Sequence, residues 1–302
     1  MGKATRVKRE NARERVAAQR AAERRRERRN RMFIAGGSIL GVVVIVVAFL
    51  FFKTLNHGTP ASASSSSAAG TALPASVVKD ITSVPASTLT SVSAGTANAK
   101  SVALVSSAKT LTSGGKPEVL YIGAQYCPYC ATERWAMAVA LSRFGTFSGL
   151  SGIHSAGGQE VYPNTATLNF YKARYTSKYL TFTPVEQETV SEKPLEKTTA
   201  AETALLTKYD SPPYVSSSEQ GAIPFVDFGG KYFVHGAQYD PQVLSGQTWA
   251  QVAAALQDPS SAIAKGADGA ANMITATICK VTNNQPSNVC TSPVIKTIQG
   301  QL

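Results

Sequence analysis

The chain has no glycine-rich phosphate loop, no serine-nucleophile elbow and no paired-carboxylate motif. Those absences set aside the usual sequence signatures of nucleotide hydrolysis, acyl transfer and glycoside hydrolysis. Histidine is scarce: His57, His154 and His235 fall in no metal-ligand or triad spacing, and each reads as a surface or loop residue. Charge is scarce too once the first 31 residues are passed, where 17 Lys/Arg face 15 Asp/Glu for a net of only +2. The overall charge of +11 therefore belongs to a tail, residues 1–31, with 13 Lys/Arg, four Glu and a net of +9. No aromatic residue interrupts that basic run to stack on a base, so no nucleic-acid partner is expected. There is no internal repeat, which excludes a solenoid.

One long apolar run stands out against this background. Met32 to Phe52 holds 21 residues without a charge, bounded by Arg31 and Lys53. As a helix that length crosses the ~30 Å hydrocarbon core of a bilayer. The cationic tail precedes it, so the positive-inside rule makes residues 1–31 a cytoplasmic basic tail and puts residues 53–302 outside the cell membrane. The tail reads as a juxtamembrane segment drawn to anionic headgroups. A cleaved signal peptide ending at Ala61-Ser62-Ala63 is the rival reading, but signal apolar regions run only about 7–15 residues. Residues 53–74 are rich in Ser and Ala and read as a flexible linker. Residues 75–302 read as one extracytoplasmic domain with its core from about residue 116.

Within that domain Val77, Ile81 and Val84 recur on one helical face ahead of Pro85. Val119 to Ala124 reads as a buried strand that runs directly into Cys127-Pro128-Tyr129-Cys130. From Pro128 to Leu141 the sequence is helix-forming and apolar nearly all round, the pattern of a buried helix with Trp135 in its core. Thr167–Tyr175 and Lys178–Val185 read as a hairpin or as two successive strands, and Glu196–Tyr209 as a helix. Ala222–Gly236 reads as a strand, a Gly229-Gly230 turn and a returning strand. Two closing helices are expected, over Gln247–Gln257 and Ala267–Ile278. The tyrosines between 162 and 179 are open to two uses, lining a groove or packing on strand faces.

The four cysteines, Cys127, Cys130, Cys279 and Cys290, all lie on the expected outer side, where disulfides persist. Three pairings are possible, and the two local ones are the simplest. A strand that delivers two thiols onto a helix start places the first against unpaired N–H groups and the positive end of the helix dipole. In such settings the first thiol's pKa falls from ~8.5 to roughly 3.5–7.5. Cys127 is then expected to be the exposed nucleophile and Cys130, one turn in, the resolving thiol. Pro128 suits the first helical turn, and with Tyr129 it tunes the redox poise of the pair. Glu133 is open to two roles, proton transfer with the buried thiol or a charge that favours the helix dipole. Two further readings of the box stand beside exchange chemistry. It is an inert disulfide, or half of a zinc site with Cys279 and Cys290, whose ten-residue gap departs from ordinary ligand spacing. Cys279 and Cys290 flank a turn-rich loop and read as a structural disulfide, with a second redox pair as the alternative. No metal and no cofactor are expected.

Strand, Cys-Pro-Tyr-Cys and helix in succession resemble the opening of a thioredoxin-like fold, and the box itself is similar to that of glutaredoxins. Ala222-Ile223-Pro224-Phe225-Val226 running into Gly230-Lys231-Tyr232 resembles the cis-proline hairpin of DsbA-type oxidoreductases. By that resemblance Pro224 is cis and faces Cys127, and the Ile223 backbone pairs with an incoming substrate strand. The closest resemblance is to a membrane-anchored family, domain of unknown function 929. It rests on Tyr121 to Ala136, on Ala140-Leu-Ser-Arg-Phe-Gly-Thr-Phe147 and on Thr176-Ser-Lys-Tyr-Leu180, and spans about residues 75–295. It implies the thioredoxin-like fold and no particular activity. The long gap between the box and Pro224 calls for an insertion, expected around Glu186 to Gly221.

The expectation is therefore an α/β protein: a thioredoxin-like mixed sheet flanked by helices, an insertion before the cis-proline hairpin, and one transmembrane helix ahead. Its expected function is extracytoplasmic thiol–disulfide exchange on protein thiols and disulfides, with a membrane redox partner among its possible associates and the bilayer contacted through residues 32–52. The alternative is a non-catalytic binding module at the membrane, stabilised by two disulfides.

Overall fold

The computed structural model describes residues 68–105, 110–217 and 219–302. The basic tail, the apolar run 32–52 and most of the linker lie outside the described residues. Among the described residues no helix is long and apolar enough to cross a membrane.

Eleven strands are described: β1 (Thr71–Ala72), β2 (Val102–Leu104), β3 (Thr112–Ser113), β4 (Lys116–Gly123), β5 (Gly145–Ser148), β6 (Ser151–His154), β7 (Ala166–Asn169), β8 (Arg174–Ser177), β9 (Thr181–Glu186), β10 (Phe225–Phe228) and β11 (Tyr232–His235). The helices are α1 (Ala75–Thr82), α2 (Ala86–Val92), α3 (Pro128–Ser142), α4 (Ala200–Tyr209), α5 (Trp249–Ala255), α6 (Ala262–Val281), α7 (Ser287–Cys290) and α8 (Pro293–Gln299). The fold is α/β, a mixed central sheet flanked by helices. Across that six-stranded sheet the strands run β2, β11, β10, β4, β9, and the short β3 pairs antiparallel with the start of β4. β4 pairs in parallel with β9, from Glu118 opposite Thr181 to Gly123 opposite Glu186. It pairs antiparallel with β10, from Val119 opposite Phe228 to Ile122 opposite Phe225.

β4 is nearly continuous in apolar residues because both of its faces are covered. Side chains alternate along a strand, so Val119 and Tyr121 enter the main core beside Trp135, Met137 and Ile274. Leu120 and Ile122 turn the other way, onto Val185, Phe233 and Tyr209 at the end of α4. α3 is apolar all round because it is enclosed; of Pro128 to Leu141 only Tyr129 is exposed. The expected hairpin is β10–β11, and Gly229 and Gly230 at its turn both take positive φ, 62° and 68°.

Some expectations shift. The strands at 166–186 do not pair with one another: β7 joins β6, β8 joins β5, and β9 joins β4. Elements outside the central sheet lie on both sides of β9, and not only in the segment expected as an insertion, Glu186 to Gly221. That segment holds α4, whereas residues 143–180 between α3 and β9 hold four strands in two small sheets. A helix such as α3 already brings the chain back for a parallel strand, so those four strands are surplus to the crossover. α4 starts at Ala200 rather than Glu196, because Thr199 and Glu202 form a reciprocal cap there. The last long helix begins earlier than expected, at Ala262, where the Ser261 hydroxyl accepts the Ala264 N–H at 2.9 Å.

Candidate functional site

β4 delivers the chain to Gly123, and Cys127 takes the N-cap position of α3 with Pro128 at the first helical residue. The cap is the sulfur itself: the Cys130 N–H donates to Cys127 Sγ at 3.2 Å. Both thiols are free in this structure. Hydrogen bonding with Cys130 lowers the Cys127 thiol pKa below its ordinary value against the opposing effect of burial, and the Arg134 charge assists. Burial pushes the Cys130 thiol well up, and its hydrogen bond and charge interaction with Cys127 add to that. The two thiols thus have opposite tendencies, as the helix-start geometry implies.

The Ile223–Pro224 peptide is cis. The Cys127 thiol lies 3.5 Å from the Ile223 carbonyl, to which it donates, and the Ile223 side chain packs on the cysteine cluster. Cys127, Cys130, Ile223 and Pro224 therefore come together across 96 residues of sequence separation between Cys127 and Ile223. One expectation needs correcting: Cys127 is not openly exposed but only 5% accessible, in a small cluster with Ala124 and Cys130 on which Tyr126 and Ile223 pack. Tyr129 is the exposed member of the box, at 41%.

Beneath the thiols lies a pair that the sequence did not reveal. Arg134, one turn past Cys130, donates to both carboxylate oxygens of Glu186, at 2.8 and 2.7 Å, and to the Ala124 carbonyl at 2.6 Å. Both side chains are fully buried. Burial works against the Arg134 charge, but Glu186 overrides it and the guanidinium stays protonated. Its carbon sits 5.8 Å from the Tyr121 ring centre. An Arg and a Glu separated by 52 residues carry no local signal; only the strand pairing that brings Glu186 beside Gly123 makes the contact.

Glu133 corrects both of its expected roles. It is fully buried, and burial raises its pKa to about 8, so at neutral pH it is largely uncharged and adds nothing to the dipole. Its contact is with the Gln238 N–H at 3.0 Å, not with a cysteine. Cys279 and Cys290 are disulfide-bonded, with Cα atoms 5.5 Å apart, tying the end of α6 to α7. Joined to each other, they leave no ligands for a four-cysteine zinc site. Among the described residues no group of three or more His, Cys, Asp or Glu is placed to hold a metal. His57 lies outside the described residues. His154 packs against Trp249, and His235 is a partner rather than a loose surface residue, 2.6 Å from Asp210. Of the tyrosines between 162 and 179, Tyr175 and Tyr179 pack on the core, whereas Tyr162 meets Tyr129 edge-on with ring centres 5.9 Å apart.

The family model described as domain of unknown function (DUF929) matches residues 102–280, a stretch that runs from β2 through most of α6 and contains the whole cysteine site. No curated protein and no solved structure matches the chain.

Proposed function

We propose, for a chain that belongs to the family described as domain of unknown function (DUF929), that it is a thiol–disulfide oxidoreductase of thioredoxin-like fold, anchored in the cell membrane and acting outside it on protein thiols and disulfides. The observation that carries this reading is the Cys127 sulfur capping α3 with its pKa lowered, beside a Cys130 thiol whose pKa is raised. The thioredoxin-like assignment draws support from the parallel β4–β9 pair linked through α3, and from the antiparallel hairpin that follows a cis Ile223–Pro224 bond. The anchor reading draws on the 21 uncharged residues from Met32 to Phe52 and the +9 tail before them.

In this mechanism the Cys127 thiolate attacks one sulfur of a protein disulfide. That S–S bond breaks, one partner sulfur leaves as a thiolate, and the other becomes bonded to Cys127. The negative charge that helped hold Cys130 protonated is then gone. Cys130 releases its proton and attacks Cys127, closing the Cys127–Cys130 bond and expelling the second partner thiolate. The partner is reduced and the box oxidised; run backwards, the same steps oxidise a partner dithiol. Pro128 and Tyr129 border the sulfur, and Ile223 and Pro224 form the wall opposite it.

The test is a glutathione redox titration of the full-length chain, with Cys127→Ser as control. A reversible box potential between about −120 and −270 mV is expected, and its value tells the direction of electron flow. A second reading, a non-catalytic binding module at the membrane, has one observation in its favour: the 5% exposure of Cys127. A potential below about −300 mV, typical of a structural bridge, would select that module instead.

A further inference from the structure

The segment between α3 and β9 does more than lengthen the chain, because its loop 155–165 forms one side of the mouth of the cysteine site. The Ala156 N–H donates to the Tyr126 carbonyl at 2.8 Å, immediately before Cys127. Tyr162 reaches Tyr129 edge-on with ring centres 5.9 Å apart, and the Asp240 charge acts on its hydroxyl. Val161 beside it is 72% exposed, and Tyr129 is 41% exposed. These are two of the four large apolar side chains that stand exposed among the described residues, and Tyr162, the chain neighbour of Val161, joins them by its contact with Tyr129. The Gln125 N–H donates to the Glu188 carbonyl at 2.9 Å, which fixes a second loop against the box. The charges of Glu188 and Glu192 in that loop act on the Tyr126 hydroxyl. Loops 155–165, 187–195 and 219–224 together carry Glu160, Glu188, Glu192 and Glu219 against the single base Lys193. Aromatic and aliphatic surface beside the Glu188 and Glu192 charges, with more acid than base in the adjoining loops, complements an apolar, cationic partner.

We propose that this mouth selects extended cationic polypeptide segments in which an aromatic or branched aliphatic residue adjoins the cysteine. The proposal rests on the exchange reading above and adds the substrate class to it. The apolar side chain lies on Tyr129, Tyr162 and Val161, and Lys or Arg residues further along meet Glu188 and Glu192.

The experiment uses the full-length chain carrying Cys130→Ser, which traps the first intermediate, and short peptides supplied as disulfide-linked homodimers. Cys127 attacks one peptide sulfur, the peptide–peptide bond breaks, one peptide leaves as its thiolate and the other stays bonded to Cys127. Adduct formation is followed by mass spectrometry for a Phe/Lys peptide, a Ser/Lys peptide, a Phe/Glu peptide and glutathione disulfide. The Phe/Lys peptide is expected to react about tenfold faster than the Phe/Glu peptide at low salt, with the gap closing as salt shortens the screening length. Val161→Ser and Tyr162→Ser should narrow the gap between Phe/Lys and Ser/Lys, and Glu188→Gln with Glu192→Gln the gap between Phe/Lys and Phe/Glu. Equal rates for all three peptides, with glutathione disulfide also reacting, overturn the selectivity and leave exchange standing. No adduct with any of the four overturns both.

Discussion

Replacing Glu133 by Gln should stabilise the folded protein at neutral pH. A carboxyl has an ordinary pKa of 4.5, and burial raises that of Glu133 to about 8. Below pH 4.5 both folded and unfolded chains hold this proton, and the group has no linkage effect. Between pH 4.5 and 8 the unfolded chain releases it and the folded chain keeps it, so stability falls as pH rises, by about 1.4 kcal/mol per unit for one group. At pH 7 the accumulated cost is roughly 3 kcal/mol. Gln keeps an oxygen to accept the Gln238 N–H and removes the ionisation. The expected gain at pH 7 is about 1–3 kcal/mol, allowing for an amide N–H₂ that must find its own partner. Urea unfolding followed by Trp fluorescence from pH 4 to 9 measures it, since Trp135 and Trp249 both lie within the domain. Asp268, raised to about 8, and Asp227, raised to about 7, leave pH dependence in both proteins. The difference between the two curves isolates Glu133. Curves that run parallel across the whole range would refute the reasoning.

Three further outcomes follow from the same geometry. Arg134→Met leaves Glu186 buried without its partner and should cost about 3–5 kcal/mol; Arg134→Met with Glu186→Leu should recover most of it, as read by urea midpoints. Iodoacetamide labelling of the reduced protein should titrate Cys127 with an inflection below the ordinary thiol value of ~8.5, while Cys130 labels only after denaturation; equal labelling of the two would contradict the site described. Cys279→Ser with Cys290→Ser should cost about 3 kcal/mol in the loop-entropy model and leave the Cys127 labelling profile in place, because the bridge belongs to the main core rather than to the cluster around the box.

What could be read in advance was local. The run from Val119 into Cys127 and on to Leu141, and the run from Ala222 to Gly236, each carry their own strand, turn or helix signal, and both appear as expected. The Cys279–Cys290 bridge spans only 11 positions and was legible for the same reason. What escaped depends on distant partners. β5 to β8 are four residues each, too short for a period-2 pattern to name their neighbours. α6 begins at Ala262, ahead of the expected Ala267, and takes both Gly266 and Gly269 into its interior. They are there for closeness: a Cβ at 266 would lie 2.6 Å from the Tyr239 ring, and one at 269 would lie 2.4 Å from the Ala94 carbonyl. Arg134 and Glu186 each look like an ordinary helix or strand-end charge until the parallel pairing of β4 and β9 sets them side by side.

The near-complete cover over Cys127 has a kinetic meaning. Tyr126 and Ile223, the ends of two loops, pack on the cluster that holds Cys127, whereas Cys279 and Cys290 lie in the main core. Loops of this kind open locally at far lower free energy than the whole domain unfolds. An observed rate at Cys127 is then the product of two quantities, the fraction of time the loops stand apart and the intrinsic rate of the uncovered thiolate. A partner that holds those loops open raises the first factor without touching the second. For such a site, a rate measured with a small reagent is a lower bound on the rate with a well-matched partner.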